Sequence, residues 1–409
     1  STGRPLHSHS GCPSSLLRVR SYWVIMATRP SGQRTWVEVS RAALLRNLRF
    51  FKGLVHPAQT MCVVKANAYG HGMALVSQVC GTEADWFGVD TFDEASTLRL
   101  QKIHQPILVM GYVLPEQIMQ AVEERISWVV YTVDMIKQAA AAAKRVGKPA
   151  HVHLKLETGL TRQGLPLSDL PGVIKVLKGC GTHLIVEGIS THYANVEDRA
   201  SLSYADAQLD QFEAGAAYLA AAGCNPRFKH TAATAAAMLM PSSRQDLVRL
   251  GISLYGLWPS ESTQASFLQQ MPGESLFPAL TWKTVVIQVK HVPKGTPVGY
   301  GLTERVSRDS VIAVLPIGYW DGYDRTGMSR KAEVLIREKR CKVLGRICMN
   351  MCMVDATDVP GIRQEDEVVI LGSQKGERVS AEELAHHADT IHYELVTRIN
   401  PVIPRMLVR

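Results

Sequence analysis

The feature that most constrains this 409-residue chain is a repeated alternation of short apolar runs with helical stretches. Helical patterns such as 133–146 and 203–222 lie between runs that are rich in Val, Ile and Leu. Short apolar strands that alternate with helices are typical of parallel strands covered on both faces. The apolar runs occupy residues 61–65, 86–90, 106–112, 127–132, 151–157, 184–191, 228–231 and 247–250.

Eight such units predict an α/β fold, a (β/α)8 TIM-type barrel, more naturally than an open doubly wound sheet. An open sheet of six or seven strands is the alternative, because the run at 228–231 is the weakest strand candidate. From about residue 276 the sequence changes to β-type runs between Pro/Gly turns, which predicts a mostly β C-terminal domain. The runs of this second part are 283–289, 311–315, 332–336, 341–344 and 367–370, followed by a helical pattern at 380–388.

These patterns divide the chain into three parts. Residues 35–275 are predicted to form the barrel, and residues 276–409 the β-rich domain. Residues 1–34 are rich in Ser, Pro, Arg and His, and we expect a disordered tail there, either native or added by cloning.

Composition and charge exclude several classes of protein. Hydrophobic residues make up 46% of the chain and charged residues 20%, which excludes a disordered or fibrous protein. No apolar run approaches the roughly 18 residues that cross a bilayer, so we expect no membrane span. The net charge is +8, but five arginines within residues 1–34 account for most of it. The remainder is nearly neutral, and we therefore expect no nucleic-acid partner.

The eight cysteines are scattered along a chain that is long enough to bury its own core. This usage predicts reduced thiols in a cytoplasmic protein. Three residues separate Cys348 from Cys352, but no second Cys/His pair at zinc-finger spacing accompanies them, so we expect no metal site.

In a (β/α)8 barrel the working residues lie at the C-terminal ends of the strands, where this sequence has Lys65, Arg162, His192, Thr234, Arg249, Gly251 and Ile252. Loss of hydration at the end of a buried strand disfavours the ammonium form of a lysine, which leaves an amine able to form a Schiff base. A lysine that extends over the barrel rim into solvent is the alternative interpretation. Hydroxyls and backbone N–H groups after strands seven and eight often bind phosphate. A strand-end lysine with a phosphate site is what pyridoxal 5′-phosphate requires.

Residues 63–72 read Val-Val-Lys-Ala-Asn-Ala-Tyr-Gly-His-Gly, and this segment resembles the cofactor-attachment motif of bacterial alanine racemases. The resemblance extends over about residues 35–407. Further matching segments follow in chain order at 155–162, 188–192, 248–252, 298–301, 316–319 and 345–349.

The resemblance implies a pyridoxal-phosphate-dependent isomerase that interconverts L- and D-alanine with two bases and serves D-alanine biosynthesis for the bacterial cell wall. Lys65 would hold the cofactor and act as one base. Tyr300 would be the opposite base, reaching into the site of the other subunit of a homodimer. His192 would stack on the cofactor ring and orient that tyrosine, and Arg162 would face the phenolic oxygen of the cofactor.

The resemblance also assigns the remaining contacts with cofactor and substrate. Arg249 would face the pyridine nitrogen, and Lys155, which family members often carry as a carbamate, would position Arg162. Met349 would approach the substrate carboxylate. Tyr319, Arg325 and Arg346 would line the access corridor, and the phosphate would be held by Tyr69, Thr234, Gly251 and Ile252.

Four positions depart from the usual family pattern. Asn350 stands where many members have Asp, and Ala233 stands where they have Asn, next to Thr234 in place of Ser. Pro401 replaces a phosphate-contacting tyrosine, a loss of about 0.5–1.5 kcal/mol for one hydroxyl contact. Because proline leaves room beside the substrate, we hypothesise that the pocket tolerates serine or another small amino acid.

Two other functions are compatible with a barrel that binds pyridoxal phosphate. One is a decarboxylase of the same fold that acts on a basic amino acid, and the other is a non-catalytic carrier of the cofactor. Tyr300 favours the racemase over the decarboxylase, whose Gly-rich phosphate segment and Cys-containing Asp/Glu pair we do not find, and the second domain that contains Tyr300 argues against the carrier.

Overall fold

The computed structural model describes residues 32–197 and 201–409, so almost all of the expected tail at 1–34 lies outside the described residues. The described part contains helices and strands in alternation up to residue 270 and mainly strands thereafter. None of the helices in these two ranges is long and apolar enough to cross a membrane.

The bounds of the elements follow in chain order. The strands are β1 (Thr35–Ser40), β2 (Gln59–Val63), β3 (Trp86–Val89), β4 (Ile107–Val109), β5 (Ser127–Val130), β6 (Ala150–Lys155), β7 (Leu184–Ser190), β8 (Phe228–His230), β9 (Leu247–Leu250), β10 (Leu280–Val285), β11 (Gln288–Val292), β12 (Pro297–Val298), β13 (Glu304–Arg305), β14 (Ser310–Leu315), β15 (Glu333–Ile336), β16 (Lys339–Leu344), β17 (Cys352–Asp355), β18 (Glu367–Gln374), β19 (Glu377–Val379) and β20 (Arg405–Val408). The helices are α1 (Arg41–Val55), α2 (Lys65–Tyr69), α3 (Met73–Cys80), α4 (Phe92–Leu100), α5 (Ile118–Glu123), α6 (Val133–Val146), α7 (Leu170–Cys180), α8 (Ser203–Ala221), α9 (Thr234–Leu239), α10 (Glu261–Gln270), α11 (Arg325–Met328), α12 (Ala381–His387) and α13 (His392–Thr397).

Strands β2 to β9 form one eight-stranded parallel sheet in the order β8-β7-β6-β5-β4-β3-β2-β9. The two ends of this order meet at a bridge between Ala233 and Arg249. Beside it, the N–H of Asp246 donates to the carbonyl of Lys229 at 3.0 Å. The sheet is thus a nearly closed barrel with helices between successive strands. The predicted (β/α)8 fold is confirmed, including the weak strand candidate at 228–231.

Large apolar side chains fill the barrel interior away from the C-terminal ends of its strands. The rings of Trp86 and Phe228 meet edge to face at 5.2 Å. Layers of bulky side chains make the interior of such barrels a packed core instead of a pore. The interior cluster consists of Met61, Trp86, Leu108, Val129, Phe228 and Leu247.

The predicted β-rich second domain is also confirmed, as a ten-stranded, largely antiparallel sheet with the order β11-β14-β17-β16-β15-β18-β10-β1-β20 and with β19 paired to β18. The sequence-based division assigned residues 35–40 to the barrel, whereas the structure pairs β1 with β10 and β20. An ion pair also joins β1 to β10, since Nζ of Lys283 lies 3.0 Å from a carboxylate oxygen of Glu38. Both ends of the described chain therefore build the second domain.

The prediction of one strand over residues 283–289 is wrong. Strand β10 ends at Val285 and β11 begins at Gln288. Between them the N–H of Val286 donates to Asp366 at 3.0 Å, and the N–H of Ile287 donates to Val314 at 2.9 Å. The chain thus changes its partner from β18 to β14 at this point, and the apolar run showed no break because Val286 is buried.

Candidate active site

A cavity of about 360 Å³ lies at the C-terminal ends of the barrel strands. It is the place where a barrel of this type puts its working residues. The structure brings most of the barrel residues singled out by the sequence to this one cavity. Its polar lining includes Lys65, Tyr69, Asp90, Lys155, Arg162, Gln163, His192, His230, Arg249 and Gly251.

Lys65 begins a left-handed turn directly after β2. The φ angles of Ala66, Asn67, Ala68 and Tyr69 are 53°, 54°, 53° and 52°. Each L-residue in this region costs about 1–2 kcal/mol, so four in succession need support from their surroundings. The turn directs the Lys65 side chain into the cavity, where its Nζ lies 3.3 Å from a carboxylate oxygen of Asp90.

The left-handed turn is held by α4 and by the C-terminal segment. The carboxylate of Glu94 accepts the N–H of Ala66 at 2.7 Å. The buried Arg405 donates from Nε to the carbonyl of Gly70 at 2.9 Å. A Cβ at position 70 would lie 2.0 Å from the carbonyl oxygen of Val396, so only glycine fits against α13. The second domain therefore helps to fix the backbone beside Lys65.

Hydroxyl and backbone donors meet after β8 and β9. The Gly251 N–H donates to the Thr234 hydroxyl at 3.0 Å, and Ile252 begins the short 3-10 helix Ile252–Tyr255. A Cβ at position 251 would lie 3.0 Å from the Tyr69 hydroxyl and 3.8 Å from that of Thr234. Burial, followed by the negative charges of Glu197 and Asp90, raises the pKa of Tyr69 to about 12, so its hydroxyl stays a donor. These groups suit a phosphate.

Arg249 lies fully buried beneath the cavity and donates only to neutral acceptors among the described residues. Its Nη1 donates to the carbonyl of His230 and contacts Nδ1 of the same ring, both at 2.7 Å. Its Nη2 donates to the carbonyls of Thr191 and Thr231 at 2.8 and 2.7 Å and lies 3.3 Å from Nδ1 of His192. Burial lowers the pKa of Arg249 to about 10, so it remains charged at neutral pH.

Positive charge dominates the cavity. Burial, together with the charges of Arg249, Arg162 and Lys65, lowers the pKa of Lys155 to about 8. The Lys155 amine donates to the side-chain oxygen of Gln163 at 2.9 Å. Burial and then the same cations hold the pKa of His192 well below its usual value, so this imidazole is neutral. Such a cavity attracts an anionic ligand.

The residues that the sequence singled out on the second domain lie outside this cavity. Tyr300, Tyr319 and Met349 are exposed on the second domain, Tyr300 by 66%. The guanidinium of Arg346 lies beside the Tyr300 turn, 3.1 Å from where a Cβ at Gly301 would be. Other large apolar side chains of this domain are exposed as well. The exposed apolar side chains of the second domain include Tyr300, Leu302, Tyr319, Trp320, Met349, Met351 and Val402.

The remaining corridor and pocket positions lie on the same domain. Arg325 donates to the carbonyl of Ile347, while Pro401 and Tyr319 line a shallow surface pocket with Trp320. Within the described residues, no group of three or more His, Cys, Asp or Glu side chains is arranged to hold a metal ion.

Two protein-family models match this chain. The model of the alanine racemase N-terminal domain matches residues 39–259, and that of the alanine racemase C-terminal domain matches residues 279–407. The chain belongs to the alanine racemase family. The alanine racemase of Symbiobacterium thermophilum is 40% identical to it, over 91% of this chain and 96% of its own length. That of Methanococcus maripaludis is 37% identical, over 91% and 98%.

Solved structures of the alanine racemase family superpose on this chain. The alanine racemase of Streptomyces lavendulae, a D-cycloserine producer, has a TM-score of 0.86 at 30% identity, covering 93% of this chain and 98% of its own. The Bacillus anthracis alanine racemase with bound L-Ala-P has a TM-score of 0.85 at 32% identity, covering 93% of this chain and 96% of its own. A histidine racemase from Leuconostoc mesenteroides has a TM-score of 0.83 at 29% identity, covering 93% of this chain and 99% of its own. A protein named for another amino acid therefore shares the alanine racemase fold.

The sequence analysis gave no role to Asp90, His230 and Gln163, which line the cavity. Asp90 follows β3 directly, so its position at a strand end was a usable signal. His230 is the last residue of β8 and could have been found in the same way. Gln163 lies in a loop, and nothing in the sequence indicated that it would contact Lys155.

The strain in the left-handed turn gives a prediction about stability. Replacing Ala66, which is exposed at φ 53°, with glycine should raise the free energy of unfolding by about 0.5–1 kcal/mol, because glycine adopts this region without a Cβ clash. The matched control is Ala141→Gly on the exposed face of α6, which should lower it by about 1 kcal/mol. Denaturant unfolding measures both, and a loss of stability in Ala66→Gly would contradict the strained turn.

Proposed function

We propose that this chain is a pyridoxal 5′-phosphate-dependent alanine racemase in which Lys65 and Tyr300 are the two bases. The observation that carries the proposal is the convergence of Lys65, the Tyr69–Thr234–Gly251 donors and Arg249 on one cavity. Family membership supports the same reaction.

The donor set fits the cofactor at three separate points. The space beside Gly251, which a Cβ would fill, gives a phosphate access to two hydroxyls and to backbone N–H groups. The Lys65 amine lines the same cavity and is available for a covalent link. Arg249 would face the ring nitrogen. Because its pKa is about 10, it donates a hydrogen bond there and does not readily give up a proton.

When bound, pyridoxal phosphate supplies a conjugated ring that withdraws electrons from the Cα atom of an amino acid. Racemisation then needs a proton removed from one face of Cα and another delivered to the opposite face. Lys65 serves one face, and Tyr300 serves the other. Arg162 would contact the phenolic oxygen and the substrate carboxylate, and His192 would stack on the ring and orient Tyr300.

The second base must come from another copy of the chain. Tyr300 is 66% exposed and does not line the cavity that contains Lys65. Leu302, two residues along the chain, is exposed too, and exposed apolar side chains of this kind are what a protein interface covers. A homodimer related by a two-fold axis would place each Tyr300 into the partner's cavity and create two equal sites. Met349 would then approach the substrate carboxylate, and the access corridor would be lined by Tyr319, Arg325 and Arg346.

The resemblance also suggests a cellular role. A racemase of this family in the cytoplasm would supply D-alanine for a bacterial cell wall.

The reaction is tested with alanine and pyridoxal phosphate in D₂O, by chiral separation and mass measurement. We expect each enantiomer to give the other with deuterium at Cα, because protons exchange on both faces. Unchanged alanine with CO₂ release from lysine or ornithine would replace the racemase with the decarboxylase. Bound cofactor with no reaction of any amino acid would leave a non-catalytic carrier.

Serine under the same conditions tests the substrate range. Pro401 lies at the surface pocket with Tyr319 and lacks the hydroxyl of the usual tyrosine. Equal rates for serine and alanine would support the hypothesis that the pocket tolerates other small amino acids. Turnover of alanine alone would remove that hypothesis and leave the racemase proposal intact.

Lys155 is proposed to carry a carbamate that positions Arg162. The neutral amine attacks CO₂ and releases one proton, and its population rises as the pH passes the Lys155 pKa of about 8. With ¹³C-bicarbonate, NMR should therefore show a carbamate carbon that grows between about pH 7 and pH 9 and is absent from Lys155→Gln. An equal signal in Lys155→Gln, or none in the parent chain, would contradict this assignment.

A further inference from the structure

A line of buried polar side chains runs from Arg249 into the barrel interior. Arg249 Nη1 lies 2.7 Å from Nδ1 of His230. Nε2 of His230 lies 2.8 Å from Nδ1 of His153. Nε2 of His153 points to the carboxylate of Glu187, 3.7 Å away. Both rings are almost completely buried, so water does not compete for these contacts.

Donor and acceptor rules allow one arrangement of protons along this line. A guanidinium is only a donor, so Nδ1 of His230 must accept and its proton must be on Nε2. That proton points at Nδ1 of His153, which must accept in turn. The proton of His153 is then on Nε2 and faces Glu187. Protonating either ring would put two donors against each other, so both rings are neutral.

The charges around the two rings agree with this arrangement. Burial, followed by the charge of Arg249, keeps the pKa of His230 well below its usual value. Burial also lowers the pKa of His153, although Glu187 opposes this effect. Burial raises the pKa of Glu187, but its contacts with His151, His153 and Ser127 outweigh burial and lower it. Glu187 is thus the negative end of the line.

The backbone is shaped for these contacts. The pairing of β6 with β7 matches Val152 with Val186 and then His153 with Gly188, which leaves Glu187 as the extra residue of a β-bulge. Bulges of this kind redirect a side chain beside a functional site. A Cβ at position 188 would lie 2.3 Å from Nδ1 of His153, the atom that accepts from His230. Glycine at 188 therefore makes room for the ring.

Glu187 is held in place by a second group. The hydroxyl of Ser127 donates to the Oε2 atom of Glu187 at 2.7 Å. His151, at the edge of the barrel, lies 3.7 Å from its other oxygen. Arg249 itself contacts no carboxylate among the described residues, since its acceptors are carbonyls and imidazole nitrogens.

We propose that Glu187 is a positioning residue which, through the ordered rings of His153 and His230, fixes the orientation of Arg249 under the cavity. This inference rests on the proposed function only in that Arg249 would face the ring of the cofactor. Glu187 touches neither substrate nor cofactor and acts through three intervening contacts.

The first test is the proton position on each ring. In ¹⁵N-histidine NMR of the full chain, the ring of His153 is assigned through its proximity to Trp86, 5.6 Å away, and that of His230 through His153. We expect both rings to stay in the Nε2–H form from about pH 5.5 to pH 9, without the protonation near pH 6.5 that an ordinary histidine shows. An Nδ1–H form, or a doubly protonated ring, would overturn the proposal.

The second test is Glu187→Gln. Its amide can donate to His153 and reverse the order of donors, which would place an Nδ1–H of His230 against Arg249. We expect the ring signals to change to those of the Nδ1–H form. We also expect kcat to fall about tenfold while KM changes less than about twofold. Glu187→Asp keeps the charge and should lie closer to the parent in both readouts.

The matched control is Glu333→Gln, the same change at an ion-paired glutamate of the second domain, which should leave kcat and ring signals unchanged. Unchanged kcat and rings in Glu187→Gln would overturn the proposal, as would a fall in kcat with unaltered rings. If Glu187→Gln does not fold, the proton positions on the parent rings and the kcat and ring signals of Glu187→Asp still test the proposal. If the parent does not racemise alanine, the proposed function fails, while the ring assignments still test this inference.

Discussion

The buried guanidinium of Arg249 is the interaction on which both the barrel and its cavity depend. Strands β8 and β9 are joined by the bridge at Arg249 instead of a continuous ladder. The side chain of the same residue binds carbonyls that follow β7 and β8, so one group joins three neighbouring strand ends. A buried cation of this kind costs free energy unless every N–H finds an acceptor. The acceptors that bind these N–H groups therefore hold Arg249 in place beneath the cavity.

The barrel provides the lining of the cavity, and the second domain supports the backbone of one part of that lining. The left-handed turn after Lys65 is strained, and Arg405 of β20 donates to its last residue, Gly70. The second domain also carries Tyr300 on an exposed surface. The same domain thus supports Lys65 within one chain and is proposed to offer a base to another. This division explains why a barrel alone would make half of a two-base site.

Much of the fold and part of the site could be predicted from the sequence. The eight strand runs were visible because each is short, apolar and bounded by turns, and Lys65, Arg249 and Gly251 followed from their strand-end positions. The place of β1 was not predictable, because strand pairing between residues 35–40 and 405–408 leaves no local pattern. Nor was the left-handed turn, because Ala and Tyr do not favour positive φ and Asn adopts it only as a single residue. Its support comes from Glu94 and Arg405, distant in sequence.

A mixture of two inactive variants tests the shared site most directly. Lys65→Ala and Tyr300→Phe each remove one base, and subunits that are unfolded and refolded together form mixed dimers. If Tyr300 serves the partner's Lys65, each mixed dimer has one site with both bases intact. Since half of randomly formed dimers are mixed, we predict roughly a quarter of the parent racemase activity. If the mixture stays as inactive as its components while mixed dimers form, the two bases do not meet across subunits, and the shared two-base site is contradicted.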